Sequence, residues 1–291
     1  MVQKLPGDIY RSDLKLADGR DISYYDSSEK NRSAADKRNE EAQPGIGHLR
    51  LDPLVDEWVV IASHRQHRVF LPPKELCPLC ASTGDKLTEI PDKDYEVVVF
   101  GNRAPALTTP KGNFKLAQIS ALTTPDVDAA GACEVVCYTS DHSSSFAKLS
   151  EKQIRAVLEA WKDRDSALSK LPFIEQVYIF ENRGEEVGVT LSHPHGQIYA
   201  YSFLPPRIEK MLQVANDHLA KTGKVLLDEV IKREIKDEKR IISQNSEWIA
   251  YVPYAARYPF EIHIAPLRGV SNMSGLDEKQ SAAFAPIAKE V

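Results

Sequence analysis

The run His193-Pro194-His195-Gly196-Gln197 is the part of this 291-residue chain best equipped to do chemistry. On an extended backbone, side chains two apart share a face, so His193, His195 and Gln197 are expected to point the same way. Three polar side chains on one face of a strand otherwise rich in Tyr, Ile and Phe are expensive to bury without a purpose. Pro194 removes a ladder donor and Gly196 removes a side chain, which should leave the strand locally open for a ligand to approach its backbone. The competing explanation is a pair of core histidines satisfied by neighbouring carbonyls. That explanation suits a lone His better than this pentapeptide.

Cys77-Pro78-Leu79-Cys80 is the second constellation. It follows a Pro-Pro loop and does not open a helix after a strand. That placement argues against a thioredoxin-type redox pair and for two legs of a tetrahedral zinc site, with histidines as candidates for the other two. Two free thiols in a loop would present the same spacing. Cys133 and Cys137 lie on a predicted strand, about 13 Å apart along it. They cannot bridge each other and read as small buried hydrophobes.

The elements that must position these residues are legible from local pattern. HLRLDPLVDEWVVIA reads as a strand hairpin turning at Asp52-Pro53. DYEVVVF, EVVCYT, QVYIFE and SHPHGQIYAYSF read as further strands, followed late in the chain by RIISQ, WIAYVP and FEIHIAP. Ser150 with Gln153 forms a capping box for a helix whose Ile154, Val157, Leu158 and Trp161 share one face. A helical region runs from about Pro206 to Lys236 with a break at Thr222-Gly223, and a last helix starts near Asp277. Hairpin-linked strands with helices inserted between groups of them favour a largely antiparallel α+β sheet over a doubly wound one. Residues 27–44 are polar and charged and read as a solvated or mobile segment.

Composition sets the outer bounds. The chain carries 37 Lys and Arg against 42 Asp and Glu, a net charge of −5, so it shows no electrostatic footprint for nucleic acid or an anionic membrane. Its apolar runs fall far short of the roughly 18–20 residues that cross a bilayer. The N-terminus lacks the apolar stretch of a signal peptide. Four cysteines are too few for a disulfide scaffold at this length. The expectation is a soluble cytoplasmic protein.

An internal repeat adds to the fold. Glu134–Gln153 laid without gaps on Glu261–Gln280, an offset of 127, shares Glu, Ser, Leu, Glu, Lys and Gln at equivalent positions, and the cap Ser150 meets Asp277. Two related halves follow: an N-terminal extension over 1–48, partly mobile; a first unit over 49–204; and an incomplete second unit over 205–291. A full second copy would place its counterpart of His193 beyond Val291.

HPHGQ resembles the active-site sequence of the galactose-1-phosphate uridylyltransferase family, within the histidine-triad (HIT) superfamily. The likeness extends through DPLVDEWVVIASHRQHR, CPLC, VVFGNRAP, SDHS, FENRG and HPHGQIYAYSFLPP, which stand here in the family's order from about Leu49 to Val270. The resemblance implies a HIT-like, mostly antiparallel half-barrel sheet with flanking helices. It also implies one structural zinc held by Cys77, Cys80, His142 and His193.

By the same resemblance, His195 is the nucleophile that takes UMP from UDP-glucose as a phosphoramidate and passes it to galactose 1-phosphate in a ping-pong cycle. A backbone carbonyl near His195 would orient its ring. Gln197 would donate a hydrogen bond to the phosphoryl oxygens, where hydrolytic relatives carry a third His. Arg65 and Arg68 are the candidates for phosphate contacts, against the plainer reading of an exposed basic loop. Phe100 would line the base pocket and Asn102 the uridine end. Asn182, Gly188 and Thr190 match positions that approach the phosphates, with Thr190 standing where a Ser is usual.

His48, His64, His67, His218 and His263 have no matching role and default to surface or satisfied histidines, His64 beside Arg65 being the one possible exception. No second metal is expected, because the position where some relatives place a Glu ligand falls at Met211, with Glu209 two residues away. The family usually carries a further C-terminal segment with sugar-contacting residues, and the expectation is that this chain lacks it. The family is also usually dimeric, so the expected partners are UDP-glucose, a hexose 1-phosphate, a second copy and a complementary C-terminal segment or chain. Two other readings remain open: an ADP-sugar phosphorylase of the same superfamily, disfavoured by Pro194 and Gly196, and a nucleotide-binding partner subunit without full activity.

Overall fold

Hydrophobic alternation drives the chain into hairpins. The computed structural model describes residues 2–41, 45–65, 71–112, 114, 116 and 127–291. Its strands are β1 (Val2–Leu5), β2 (Ile9–Lys15), β3 (Asp21–Asp26), β4 (His48–Asp52), β5 (Glu57–Ile61), β6 (Val97–Gly101), β7 (Val127–Asp128), β8 (Gly131–Cys137), β9 (Gln176–Phe180), β10 (His195–Tyr201), β11 (Ile241–Gln244), β12 (Trp248–Tyr251) and β13 (His263–Pro266). The helices are α1 (Glu151–Leu168), α2 (Pro206–Thr222), α3 (Leu226–Asp237) and α4 (Glu278–Glu290).

Seven strands form one open sheet in the order β1-β2-β3-β6-β8-β10-β9, every neighbouring pair antiparallel. Smaller antiparallel sheets, β5-β4-β7 and β11-β12-β13, flank it. The fold is therefore α+β with mostly antiparallel sheets, as the hairpin pattern indicates, and the main sheet does not close into a barrel.

Helix α1 covers one face of the main sheet. Ile154, Val157 and Ala160 pack with Val97, Val99, Val136, Ile198 and Ala200, all fully or nearly buried. The capping box forms as the sequence indicates: the Gln153 amide donates to the Ser150 hydroxyl at 3.2 Å, and the Ser150 amide donates back to the Gln153 side chain at 3.1 Å. Helix α4 repeats this device at Asp277 and Gln280. It packs beside α1, and Leu158, Trp248, Ala250 and Ile287 close the layer beneath the β11-β12-β13 sheet. Between α2 and α3, Gly223 takes the left-handed conformation (φ 68°) that ends a helix at little cost to glycine.

Two expectations need correction. Residues 1–48 are not a mere extension, because β1, β2 and β3 are three strands of the main sheet and place Ile9 and Tyr25 in its core. The charged stretch after β3 is also anchored. Arg32 is buried against Asp26 at 2.7 Å, and Arg38 pairs with Asp36 and with Glu89, each at 2.7 Å. A charged composition reads as solvated only until its charges find buried partners.

Candidate functional site

The candidate residues His195 and Gln197 stand on β10. Its residues alternate: Gly196, Ile198 and Ala200 are buried toward α1, while His195, Gln197, Tyr199 and Tyr201 are half-buried on the other face. The regular strand begins at His195, so His193 does not share that ladder; it precedes the first pair, His195 with Cys137.

The role expected of Gly196 changes as well. A Cβ at that position would lie 2.0 Å from the Tyr138 hydroxyl and 2.8 Å from the Phe180 carbonyl oxygen. The glycine lets β10 close onto its neighbours; it does not open the backbone to a ligand.

Four ligand-type atoms gather beside the start of β10. The side chains of Cys77, Cys80, His142 and His193 bring one donor atom each to within 4.8 Å of one another. Cys80 Sγ lies 3.4 Å from His142 Nδ1 and 3.6 Å from His193 Nδ1. The loop carrying the thiols is held from behind, where the Thr88 hydroxyl donates to the Cys80 carbonyl at 2.6 Å and the Tyr95 hydroxyl to the Leu79 carbonyl at 2.7 Å. Burial pushes the Cys80 thiol up to about 11, assisted by Cys77, and pushes His193 down to about 4. The imidazole is thus neutral and ready to coordinate at neutral pH, while the thiol must give up a proton to do so. The group could hold a metal ion.

The tautomers follow from the acceptors. His193 Nε2 lies 2.8 Å from the Thr139 carbonyl, which can only accept, so Nε2 carries the hydrogen and Nδ1 keeps its lone pair toward Cys80. His195 is set the other way round. Its Nδ1 lies 2.7 Å from the His193 carbonyl and must donate, which leaves the lone pair on Nε2. Burial lowers the pKa of His195, so the ring is held neutral.

Two cavities meet at this imidazole. One of about 470 Å³ is lined by Phe100, Asn102, Thr190, His195 and Gln197, with Leu79 and Arg103 on its walls. The other, about 240 Å³, is lined by Glu181, Asn182, Arg183, Gly184, Ser192 and His195. The expected residues Phe100, Asn102, Thr190 and Gln197 are therefore brought together in one cavity, and Asn182 reaches His195 through the other. Arg65 sits over the same sheet face, donating to the Tyr199 hydroxyl at 3.0 Å. Gly188 occupies a turn (φ 73°) and lines neither cavity. Arg68 lies outside the described residues, as does His67.

Of the histidines without an expected role, His218 pairs with Glu229 and His263 with Glu261, each at 3.1 Å, and His64 Nε2 lies 3.0 Å from the Pro105 carbonyl. Nδ1 of His48 is buried and finds no partner among the described residues. Cys133 and Cys137 are buried and unbridged.

Three residues at or behind the cavities escape sequence reasoning. Arg103 and Arg183 directly follow Asn102 and Asn182 in FGNR and ENRG, so adjacency was an available signal. Arg103 is tied to Glu40 and, at 3.7 Å, to Glu89, a carboxylate that also holds Arg20 at 2.6 Å. Tyr95 carries no local signature at all, because its partners are a backbone carbonyl and a histidine 98 positions away.

Comparisons with known proteins agree with one another. The family model for the N-terminal domain of galactose-1-phosphate uridyl transferase matches residues 36–205. A galactose-1-phosphate uridylyltransferase of Streptomyces lividans is 42% identical over 283 residues, covering 97% of this chain and 74% of that protein. One from Thermotoga maritima is 38% identical over 251 residues, covering 84% and 74%. A solved uridylyltransferase structure superposes with a TM-score of 0.69 at 28% identity, covering 83% of this chain and 73% of the other. An ADP-glucose phosphorylase from Arabidopsis thaliana with bound ADP-glucose superposes with a TM-score of 0.58 at 27% identity, covering 84% and 75%.

Proposed function

The chain belongs to the galactose-1-phosphate uridylyltransferase family, and from that premise we propose that it moves UMP from UDP-glucose to galactose 1-phosphate through a uridylyl-histidine on His195. The observation that carries this reading is the 2.7 Å hydrogen bond from His195 Nδ1 to the His193 carbonyl, on a ring that borders both cavities. With Nδ1 donating, Nε2 is the nucleophilic nitrogen.

Nε2 attacks the α-phosphorus, a P–N bond forms, and the P–O bond to glucose 1-phosphate breaks. The positive charge that develops on the ring is drawn toward the carbonyl that already accepts from Nδ1. Gln197 donates its amide to a non-bridging oxygen, while Arg65 adds positive charge on the same face. Galactose 1-phosphate then attacks the same phosphorus with a phosphate oxygen and releases His195. No proton has to be stored between the halves.

A Cys₂His₂ donor set suits Zn²⁺. Zn–S and Zn–N bonds at tetrahedral angles place S and N about 3.6 Å apart, and the 3.4 and 3.6 Å separations from Cys80 support that identity. With four protein donors such an ion would keep no open position, and its contribution would be to fix the segment that leads into His195. Phe100 and Asn102 would hold the nucleoside side, and Asn182 and Thr190, with Arg183, the phosphates.

The two-unit division rests on register: a 3-10 turn over Phe146–Lys148 precedes α1, another over Met273–Gly275 precedes α4, and both turns and both helices start 127 residues apart. A homodimer would cover the exposed Met211, Leu212, Leu219 and Leu227 of α2 and α3. A cytoplasmic setting agrees with four unbridged cysteines and with the absence, among the described residues, of any helix long and apolar enough to cross a membrane.

Incubation with UDP-glucose labelled at the α-phosphate tests the reading. The expected outcome is acid-labile label on His195, absent from His195→Gly, whose zinc content stays unchanged. No label on the parent chain would sink the transferase reading. Zinc lost together with label in the variant would show that the roles of His193 and His195 are wrongly divided.

A further inference from the structure

Tyr95 lies between elements that the chemistry treats separately. It precedes β6, is almost fully buried, and packs with Cys77, Leu79 and Cys137. Its hydroxyl donates to the Leu79 carbonyl at 2.7 Å, inside the Cys77–Cys80 loop. The same oxygen lies 2.7 Å from His193 Nε2. A phenol has one hydrogen to give, and a carbonyl can only accept. The hydrogen therefore goes to Leu79, and the Tyr95 oxygen accepts from His193 Nε2–H, which it shares with the Thr139 carbonyl at 2.8 Å. His193 in turn uses its own carbonyl to accept from His195 Nδ1 at 2.7 Å. Tyr95 thus links the cysteine loop to the His193 ring, and the backbone carbonyl of the same His193 holds the imidazole of His195.

We propose that Tyr95 is a positioning residue that locks the ring of His193 with Nδ1 facing Cys80 and ties that ring to the thiol loop, so that metal retention and the orientation of His195 depend on one hydroxyl. The inference rests on the reading of Cys77, Cys80, His142 and His193 as a zinc site. The Thr139 carbonyl can keep the hydrogen on Nε2, whereas the Tyr95 hydroxyl bonds both to that ring and to the Leu79 carbonyl inside the cysteine loop, and so ties the two together. Groups that stand behind metal ligands in this way typically control affinity about 10- to 100-fold.

The test uses zinc-loaded parent protein and Tyr95→Phe, which removes the oxygen and keeps the ring. Zinc release to a chromophoric chelator should show affinity weakened by about 10- to 100-fold in the variant. The rate of His195 labelling from UDP-glucose should fall at saturating substrate with KM unchanged. Equal zinc affinity in the two proteins overturns the inference, even if the variant melts earlier. A parent protein that binds no stoichiometric zinc overturns the metal reading itself. Should Tyr95→Phe fail to fold, the parent loaded with ¹¹³Cd decides by NMR: a slowly exchanging Tyr95 hydroxyl proton with a cross-peak to the His193 Nε2 proton is expected, and a freely exchanging hydroxyl, or coupling of the metal to Nε2, overturns the proposed lock.

Discussion

His193 does two jobs with two different parts of itself. Its ring faces the thiols, and its carbonyl accepts from His195. The residue types and spacing were legible in HPHGQ, because two histidines two positions apart are a local pattern. The tautomers were not, since they are set by the carbonyls of Thr139 and His193 and by the hydroxyl of Tyr95, none of which has a signature in sequence. A pH prediction belongs here. Burial holds His193 at about 4 and lowers His142 and His195 below the ordinary 6.5. A depressed histidine binds its proton more weakly folded than unfolded, so its stabilising contribution is complete above pH 6.5 and is lost as pH falls toward 4. His193 alone accounts for on the order of 3 kcal/mol of that loss. Chelator-treated protein should show a melting temperature that drops steeply between pH 6.5 and 4, and a flat profile over that range would contradict the burial argument.

At the scale of elements, β10 is only as good as the packing behind it. Gly196→Ala should clash with the Tyr138 hydroxyl and the Phe180 carbonyl, costing about 1–3 kcal/mol, typical of an overpacked core. Adding Tyr138→Phe removes the closer of the two contacts and should recover part of the loss, whereas full recovery would mean that the Phe180 backbone is not a constraint. Thermal melts of the two variants decide it. The capping boxes at Ser150 and Asp277 could be read in advance because cap and partner lie three residues apart, within one turn. The first residue of β10 could not. Strand ends are set by which partner is present, and the ladder with Cys137 starts only at His195. The contact of Gly196 with Tyr138 crosses 58 positions and leaves no trace in the local pattern.

Across the whole molecule, the site draws on distant stretches of chain. The first 26 residues supply three strands of the main sheet, and the charged stretch behind them reaches the wall of the larger cavity through Glu40 and Arg38, which bind Arg103 and Glu89. That participation was invisible in advance, because nonlocal ion pairs turn a segment of solvated composition into a tether. Arg32→Ala should leave buried Asp26 with Lys30, 3.3 Å away, as its remaining cation and cost about 1–3 kcal/mol, read as a shifted urea midpoint. A shift below 1 kcal/mol would return that segment to the solvent. The two cavities also bear on the order of events. Among the described residues that line them, only Leu191 and His195 are common to both. If one chamber keeps the nucleotide while the other changes occupants, the sugar phosphates never meet. Radiolabelled glucose 1-phosphate should then exchange into UDP-glucose with no galactose 1-phosphate present, and double-reciprocal plots at several fixed acceptor concentrations should run parallel.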